Sequence, residues 1–154
     1  MNRVLLVDDE QAIRLAVRMA LRREGMDVTE ASDGLEALEL LKKEKFQLVI
    51  LDVMMERVGG YEVLQKMRAA GNHTPVMMLS GKSDEMDQVL GLGFGADSYL
   101  TKPFHTAVLI QTAKALIRRS QIYSQEVADV GIRRGPFAVD MLKMECLKDG
   151  KPLN

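Results

Sequence analysis

In the first part of this chain, short strand-like runs alternate with segments in which apolar residues have helical spacing. Three runs are apolar throughout, at residues 4–7, 48–51 and 76–79, and two weaker strand-like runs occupy residues 27–31 and 98–101. Strands that are apolar throughout are typical of parallel sheets covered on both faces. We therefore expect these five runs to form one buried parallel sheet.

Helical spacing fills the segments between the runs. Apolar residues recur three or four positions apart within residues 13–21, 35–41, 61–67, 84–93 and 108–117. The alternation of five strands with five helices predicts a doubly wound α/β domain over residues 1–120. The last helix is expected to end at Arg118-Arg119.

The tail of the chain follows a different pattern. The polar segment 121–131 either extends the last helix or forms a linker, and we assign it as a linker. Residues 135–140 and 144–147 have strand character, and Asp149-Gly150 is a hairpin-type turn. A lone hairpin is marginally stable in water, so residues 132–154 indicate the beginning of a second domain that is cut off.

Composition and charge narrow the functional class. The 154 residues are 47% apolar, which suits a folded domain. Lys and Arg total 21 against 22 Asp and Glu, which excludes bulk positive charge for coating nucleic acid or anionic lipid. A single cysteine, Cys146, excludes an internal disulfide. No apolar run approaches the roughly 20 residues of a membrane span and no signal peptide is present, so we expect a cytoplasmic protein without a membrane partner.

Polar residues follow the predicted strands at their carboxyl ends. Asp8 and Asp9 follow the first run, Asp52 follows the third, and Ser80 and Lys102 follow the fourth and fifth. Ligands of open parallel sheets bind at this edge, and carboxylates that meet there need a cation to offset their repulsion. Oxygen ligands favour Mg²⁺, with Mn²⁺ as the alternative. Such a site suits a phosphoryl group held on one carboxylate, its charge balanced by the cation and Lys102.

Each of these residues also has an ordinary structural explanation. Taken alone, Asp8-Asp9 is better explained as a helix N-cap pair, and Lys102-Pro103 as a turn. Ser80 alone could start a helix, and Asp52 alone could cap a loop. Their joint placement at the strand ends of one predicted sheet favours a shared chemical role.

Four segments of the sequence resemble the receiver domain of two-component response regulators. They are LLVDDE at residues 5–10, LDVMM at 51–55, LSGK at 79–82 and GADSYLTKPF at 95–104. The resemblance covers residues 1–120 and implies a CheY-like, flavodoxin-like fold. It also implies a partner, a sensor histidine kinase whose phosphohistidine donates a phosphoryl group.

The resemblance assigns roles to the carboxylates. Asp52 corresponds to the phosphoacceptor, and Asp8, Asp9 and the backbone carbonyl of Met54 would join it around Mg²⁺. The receiver would catalyse its own phosphorylation and its later dephosphorylation. It would be a signalling switch and not a metabolic enzyme.

The resemblance also assigns roles at the last two strands. Lys102 would pair with the phosphoryl group, ahead of a cis peptide bond at Pro103. Ser80 would be the switch hydroxyl that moves toward the phosphoryl group, and Tyr99 the aromatic that turns inward behind it. Phosphorylation would thereby bias a two-state shift in one face of the domain.

The tail resembles the opening strands of the OmpR-type winged-helix DNA-binding domain. The similar segments are IRRGPFAVD at residues 132–140 and DGKPL at 149–153. This resemblance implies a transcription regulator that would bind DNA only through the part of the effector domain missing here. An unrelated hairpin extension is the alternative.

Two features depart from the family pattern. Glu56 stands where proline is usual, so the loop after Asp52 should be less rigid and more anionic. OmpR-type receivers typically dimerise through charged pairs on the fourth helix, fifth strand and fifth helix. At the matching positions this chain has Gln88, Phe94, Ser98, Val108 and Thr112. Of the usual charges, Asp97 and Arg119 remain, so a homodimer through this face would be atypical and more apolar.

Two other functions stay open at this point. A stand-alone receiver would act by binding a partner protein, and its tail would be an extension without a separate role. A phosphohydrolase of the haloacid dehalogenase type also uses an aspartate nucleophile, but its motif needs an aspartate where Met54 stands. Phosphorylation-controlled transcription accounts for both the receiver and the tail.

Overall fold

One parallel sheet organises the protein. In the computed structural model, which describes residues 1–55, 57–81 and 95–133, the strands are β1 (Arg3–Val7), β2 (Asp27–Ala31), β3 (Leu48–Asp52), β4 (Val76–Ser80) and β5 (Ser98–Thr101). They lie in the order β2-β1-β3-β4-β5, and every neighbouring pair is parallel. The predicted five-stranded parallel sheet is confirmed.

Helices cover both faces of this sheet. Those within the described residues are α1 (Gln11–Arg23), α2 (Gly34–Lys43), α3 (Gly60–Ala69) and α4 (Thr106–Arg133). The helix predicted at 84–93 and the strands predicted at 135–140 and 144–147 lie outside the described residues. The alternation of strands and helices gives the predicted doubly wound, CheY-like fold.

Each central strand is apolar throughout because its side chains enter two separate cores. On β1, Val4 and Leu6 pack with residues of α1 and α4. Leu5 and Val7 pack on the opposite face with residues of α2 and α3. All four side chains are fully buried. Strands β3 and β4 divide their side chains in the same way, which explains why no polar positions alternate along them.

The register of the strands brings their carboxyl ends to one level. Asp52, the last residue of β3, lies opposite the residue that precedes Ser80 in β4. Asp8 follows Val7, which pairs with the residue that precedes Asp52. The three polar side chains predicted to share a site therefore leave neighbouring strands at the same edge of the sheet.

Helix α3 begins against the backbone of the strand that carries Asp52. The Gly60 amide donates a hydrogen bond to the Val53 carbonyl at 3.0 Å. A Cβ atom on Gly60 would overlap the carbonyl oxygen of Asp52 and lie 3.1 Å from Met78 Cε. Glycine is required at this position because the helix start is pressed directly onto the strand end.

Asp33 joins the start of α2 to the loop after β3. Its Oδ1 accepts a hydrogen bond from the Glu36 amide at 2.9 Å and so caps the helix. Its Oδ2 pairs with Arg57, whose φ of 67° lies in the left-handed region. The hydrogen bond from Glu36, followed by the contact with Arg57, lowers the pKa of Asp33.

Replacing Asp33 should separate these two contributions. Asp33→Ala is expected to lower the free energy of unfolding by about 1 kcal/mol, because the helix loses its cap. Asp33→Asn keeps a capping oxygen and loses the charge; since an exposed ion pair contributes little, its effect should be smaller. Urea denaturation of both variants measures the difference, and equal losses would contradict a dominant role of the cap.

The last helix is longer than predicted. Helix α4 continues to Arg133 and does not end at Arg118-Arg119, so it includes the segment 121–131 that we assigned as a linker. The physical reason is the absence of a helix breaker, since neither glycine nor proline occurs between residues 119 and 130. Of the two alternatives that the sequence left open for residues 121–131, the structure shows the extension of the last helix.

Contacts divide the chain into two units, residues 1–118 and 119–154. The sheet and both cores belong to the first unit. The division into a receiver over 1–120, a linker over 121–131 and an effector fragment over 132–154 stays a prediction. No helix in the described part of the chain is both long and apolar enough to cross a bilayer.

Candidate functional site

Polar groups are buried at one edge of the sheet. Among the described residues, the buried polar side chains are Asp8, Asp52 and Ser80, with exposures of 0%, 4% and 2%. They stand at the carboxyl ends of β1, β3 and β4. Burying a carboxylate is unfavourable unless a positive group or strong hydrogen bonds replace its hydration. The arrangement therefore indicates a chemical role at this edge.

Lys102 brings positive charge to these carboxylates. Its Nζ lies 2.9 Å from Asp8 Oδ2, 3.1 Å from Glu10 Oε1 and 3.4 Å from Asp52 Oδ1. Burial opposes the charge of Lys102, but the contacts with Asp8 and Glu10 outweigh it, and the pKa of Lys102 is raised. The ammonium is consequently a fixed positive charge of the pocket.

Strands β4 and β5 hold Ser80 and Lys102 together at their ends. Ser80 pairs with Thr101 in the sheet register, and the Lys102 amide donates to the Ser80 carbonyl at 2.6 Å. The peptide bond between Lys102 and Pro103 is cis, which confirms the expectation from the sequence. The two residues expected to contact a phosphoryl group from this side therefore leave adjacent strands.

The acidic segment after β1 has suitable donors for a divalent cation. One carboxylate oxygen from each of Asp8, Asp9 and Glu10 lies within 4.8 Å of the others. Asp8 Oδ1 accepts a hydrogen bond from the Glu10 amide at 2.9 Å. The buried Oδ2 of Asp8 faces the charge of Lys102 but has no hydrogen bond of good geometry within the described residues. A hard cation would satisfy this oxygen, so the residues present fit Mg²⁺.

The pocket makes ionisation of Asp52 unfavourable. Burial, followed by the negative charge of Asp8, raises the pKa of Asp52 to about 7, against the attraction of Lys102. A carboxylate attacks phosphorus in its ionised form, and a nearby divalent cation favours that form. The electrostatics thus agree with the donor set in pointing to a cation at neutral pH.

The remaining predicted cation ligands lie at the rim of the pocket. Asp9 is exposed, and the side chain of Met54 is 67% exposed. The Met54 amide lies 3.4 Å from Asp52 Oδ1, so its peptide group stands beside the candidate phosphoacceptor. The role of its carbonyl as a metal ligand stays a prediction. Glu56 lies outside the described residues. Its predicted effect on the loop stays a prediction.

Tyr99 stands apart from the carboxylates. Its ring is half-buried and packs against the core that contains α2 and α3. Its hydroxyl lies 2.6 Å from the hydroxyl of Tyr61. The ring is therefore packed inward in this structure, while its role as a switch stays a prediction.

Residues of the predicted pairing face have contacts within the domain. Asp97 Oδ2 accepts a hydrogen bond from the Val76 amide at 2.9 Å and lies 3.3 Å from the Arg68 guanidinium. Val108 is 47% exposed on α4. Two other positions of this face, Gln88 and Phe94, lie outside the described residues. Association through this face stays a prediction.

Two residues at or near the site had no role in the sequence predictions. Glu10 is the third carboxylate around Lys102, and a third acidic residue directly after Asp8 and Asp9 was a usable signal. Tyr61 meets Tyr99 from a position 38 residues away. Local sequence holds no signal for that contact, because only the fold brings the two residues together.

This arrangement of a buried carboxylate, a fixed ammonium and an acidic cluster at the edge of a doubly wound sheet is the one that the sequence resemblance to receiver domains implies. The chain belongs to the response regulator receiver domain family, which residues 4–114 match. Receiver domains partner with histidine kinases and generally bind Mg²⁺ at an acidic cluster, which Asp8-Asp9-Glu10 provides here.

Individual relatives agree with this membership. The chain is 40% identical over 152 residues to the transcriptional regulatory protein TrcR of Mycobacterium tuberculosis. The matched region covers 99% of this chain and 59% of TrcR. It is 44% identical over 121 residues to the alkaline phosphatase synthesis transcriptional regulatory protein PhoP of Bacillus subtilis. This matched region covers 79% of this chain and 50% of PhoP. The receiver domain of Francisella response regulator 1452 has a TM-score of 0.76 and 33% identity, covering 78% of this chain and 99% of that one.

Proposed function

We propose that Asp52 accepts a phosphoryl group from the phosphohistidine of a sensor kinase. The observation that carries the proposal is a buried Asp52 within 3.4 Å of the Lys102 ammonium and at the strand end beside Asp8. A carboxylate oxygen of Asp52 attacks phosphorus while the phosphorus–nitrogen bond of the donor breaks, and the electron pair leaves with the imidazole. The receiver supplies the groups for this transfer and for later hydrolysis, as a switch and not as a metabolic enzyme.

Asp8, Asp9, Asp52 and the backbone carbonyl of Met54 would hold Mg²⁺, with Mn²⁺ as the alternative. When bound, the ion supplies positive charge for the phosphoryl oxygens. Asp8 is suited to anchor this set because it is fully buried and its Oδ2 has no well-directed hydrogen-bond donor within the described residues.

Lys102 and Ser80 would contact the transferred group. The Lys102 ammonium already lies among carboxylate oxygens, so a phosphoryl oxygen on Asp52 would be another anionic partner within its reach. The Ser80 hydroxyl would donate a hydrogen bond to a phosphoryl oxygen from the end of β4. Tyr99 would follow as the inward-packed aromatic, and the face formed by β5 would carry the change.

We also propose that the whole protein controls transcription in the cytoplasm. Both named relatives are transcriptional regulatory proteins, and this chain spans 59% and 50% of their lengths. Residues 132–154 would begin a winged-helix domain, and the later part of that domain would bind DNA. A homodimer, where it forms, would use exposed apolar surface such as Val108 in place of charged pairs.

Phosphorylation by acetyl phosphate with Mg²⁺ tests the phosphoacceptor. The wild-type protein is expected to gain a single phosphoryl adduct, whereas Asp52→Asn should lose it completely because an amide is a poor nucleophile. Intact mass spectrometry of both proteins measures the yield.

Asp33→Asn is the matched control, since it removes an aspartate charge that lies outside the pocket. This variant should keep the adduct, and chelation of Mg²⁺ should abolish the adduct in every protein. An adduct of unchanged yield in Asp52→Asn, or none in the wild type, would refute the proposal.

A further inference from the structure

The hydroxyls of Tyr61 and Tyr99 form a short hydrogen bond of 2.6 Å. Tyr61 lies in the first turn of α3, and Tyr99 lies in the middle of β5. Both rings are half-buried and pack against the same core, which contains α2 and α3. The bond therefore joins two elements on one face of the sheet, in a partly dry environment that strengthens it.

Each tyrosine is attached to a different side of the phosphoacceptor pocket. Tyr61 directly follows Gly60, whose backbone is pressed onto the carbonyl of Asp52. Tyr99 lies three residues before Lys102 in the chain and pairs with Met78 in the sheet. A shift of either pocket wall would therefore change the geometry of the bond between the two hydroxyls.

We propose that Tyr61 is a positioning residue that holds the ring of Tyr99 in its inward place. The inference rests on the proposed function, in which Asp52 carries the phosphoryl group and Tyr99 packs inward in the switched state. The hydrogen bond stabilises the inward ring before any phosphoryl group is present. By linkage, a contact that favours the switched state also strengthens binding of the phosphoryl group that selects it.

Removal of one hydroxyl should weaken the binding of a phosphoryl mimic. We choose beryllium fluoride with Mg²⁺ as the probe and isothermal titration calorimetry as the measurement. Tyr61→Phe keeps the ring and loses the hydroxyl, and the apparent affinity is expected to fall about fivefold, the usual contribution of one hydrogen bond. Tyr123→Phe removes the hydroxyl that lies beyond the family match and should bind as the wild type does.

A double-mutant cycle shows whether the two hydroxyls act through each other. Tyr99→Phe should weaken binding by a similar factor, and the double variant should be no weaker than either single variant. A merely structural role would lower the melting temperature of Tyr61→Phe while its affinity for the probe stayed unchanged. That result, or additive losses in the double variant, would overturn the proposal.

Asp52→Asn distinguishes failure of this inference from failure of the proposed function. If the wild-type protein binds the probe and Asp52→Asn does not, the phosphoacceptor assignment holds whatever Tyr61→Phe does. If Asp52→Asn binds the probe as tightly as the wild type, the pocket assignment fails, and the role of Tyr61 fails with it.

Discussion

Without a divalent cation, Asp52→Asn is expected to raise the free energy of unfolding by about 2 kcal/mol at about pH 8. The wild-type protein must ionise a buried carboxyl at the strand end beside Asp8, whereas the amide carries no charge. A rise in the pKa of Asp52 from 3.8 to about 7 corresponds to about 4 kcal/mol in full. We expect about half of this figure because water and the side chains relax around the charge, as effective dielectric constants in proteins indicate.

The advantage of this variant should depend on pH. A carboxyl with a higher pKa in the folded than in the unfolded protein binds more protons when folded, so low pH favours the folded state. The wild-type protein loses this stability as the pH rises from 3.8 through about 7, whereas Asp52→Asn does not. Urea denaturation with a chelator present should therefore give stability curves that separate between these two pH values.

Mg²⁺ provides the control for this result. On the proposed function, the ion would bind the folded wild-type protein and stabilise it, and it should stabilise Asp52→Asn less because that variant lacks one of the proposed carboxylate ligands. As Mg²⁺ is added, the stability advantage of Asp52→Asn over the wild-type protein should therefore shrink. Curves that stay parallel across the pH range, or a variant that is less stable throughout, would contradict the expected charge burial.

Gly60→Ala is expected to lower the free energy of unfolding by about 3 kcal/mol and the melting temperature by about 10 °C. The added methyl group would overlap the Asp52 carbonyl oxygen and lie 3.1 Å from Met78 Cε. Backbone cannot yield as a flexible side chain can, so α3 must move away from the strand end. Circular dichroism during thermal unfolding measures the loss.

Gly81→Ala is the matched control for the glycine substitution. Among the residues that the structure describes, a Cβ at Gly81 would meet no heavy atom within 4 Å, and this residue also follows a central strand. Its effect should be within about 0.5 kcal/mol, as for substitutions that create no clash. Equal melting temperatures for the two variants would show that α3 is not seated on Asp52 as described.

The sheet and the core of the site were predictable from the sequence for related reasons. A run such as 48–51, apolar at every position, has few stable environments in water other than a strand covered on both faces. Once such strands are parallel, the residues after them must meet at one edge. The convergence of Asp8, Asp52 and Lys102 follows from that rule and not from any property of the three residues themselves.

The rest depended on geometry that local patterns do not contain. The contact of Tyr61 with Tyr99 needs the packing of α3 beside β5, which neither sequence segment specifies. The end of α4 was predicted at Arg118-Arg119, but both arginines are exposed positions inside the helix, where charged residues are common. Neither glycine nor proline interrupts residues 119–130, and the helix continues through Gly131 to Arg133.

The exposed carboxylate of Asp97 already has partners within its own domain. Its Oδ2 accepts from the Val76 amide and lies 3.3 Å from Arg68, whose guanidinium also donates to the Gly95 carbonyl at 2.7 Å. A second molecule that offers a cation to Asp97 would displace a partner of the same kind. The free energy gained is then the difference between two equivalent contacts, which is small compared with either one. Association at this edge would be decided by fit between surfaces, and added salt would change its strength little.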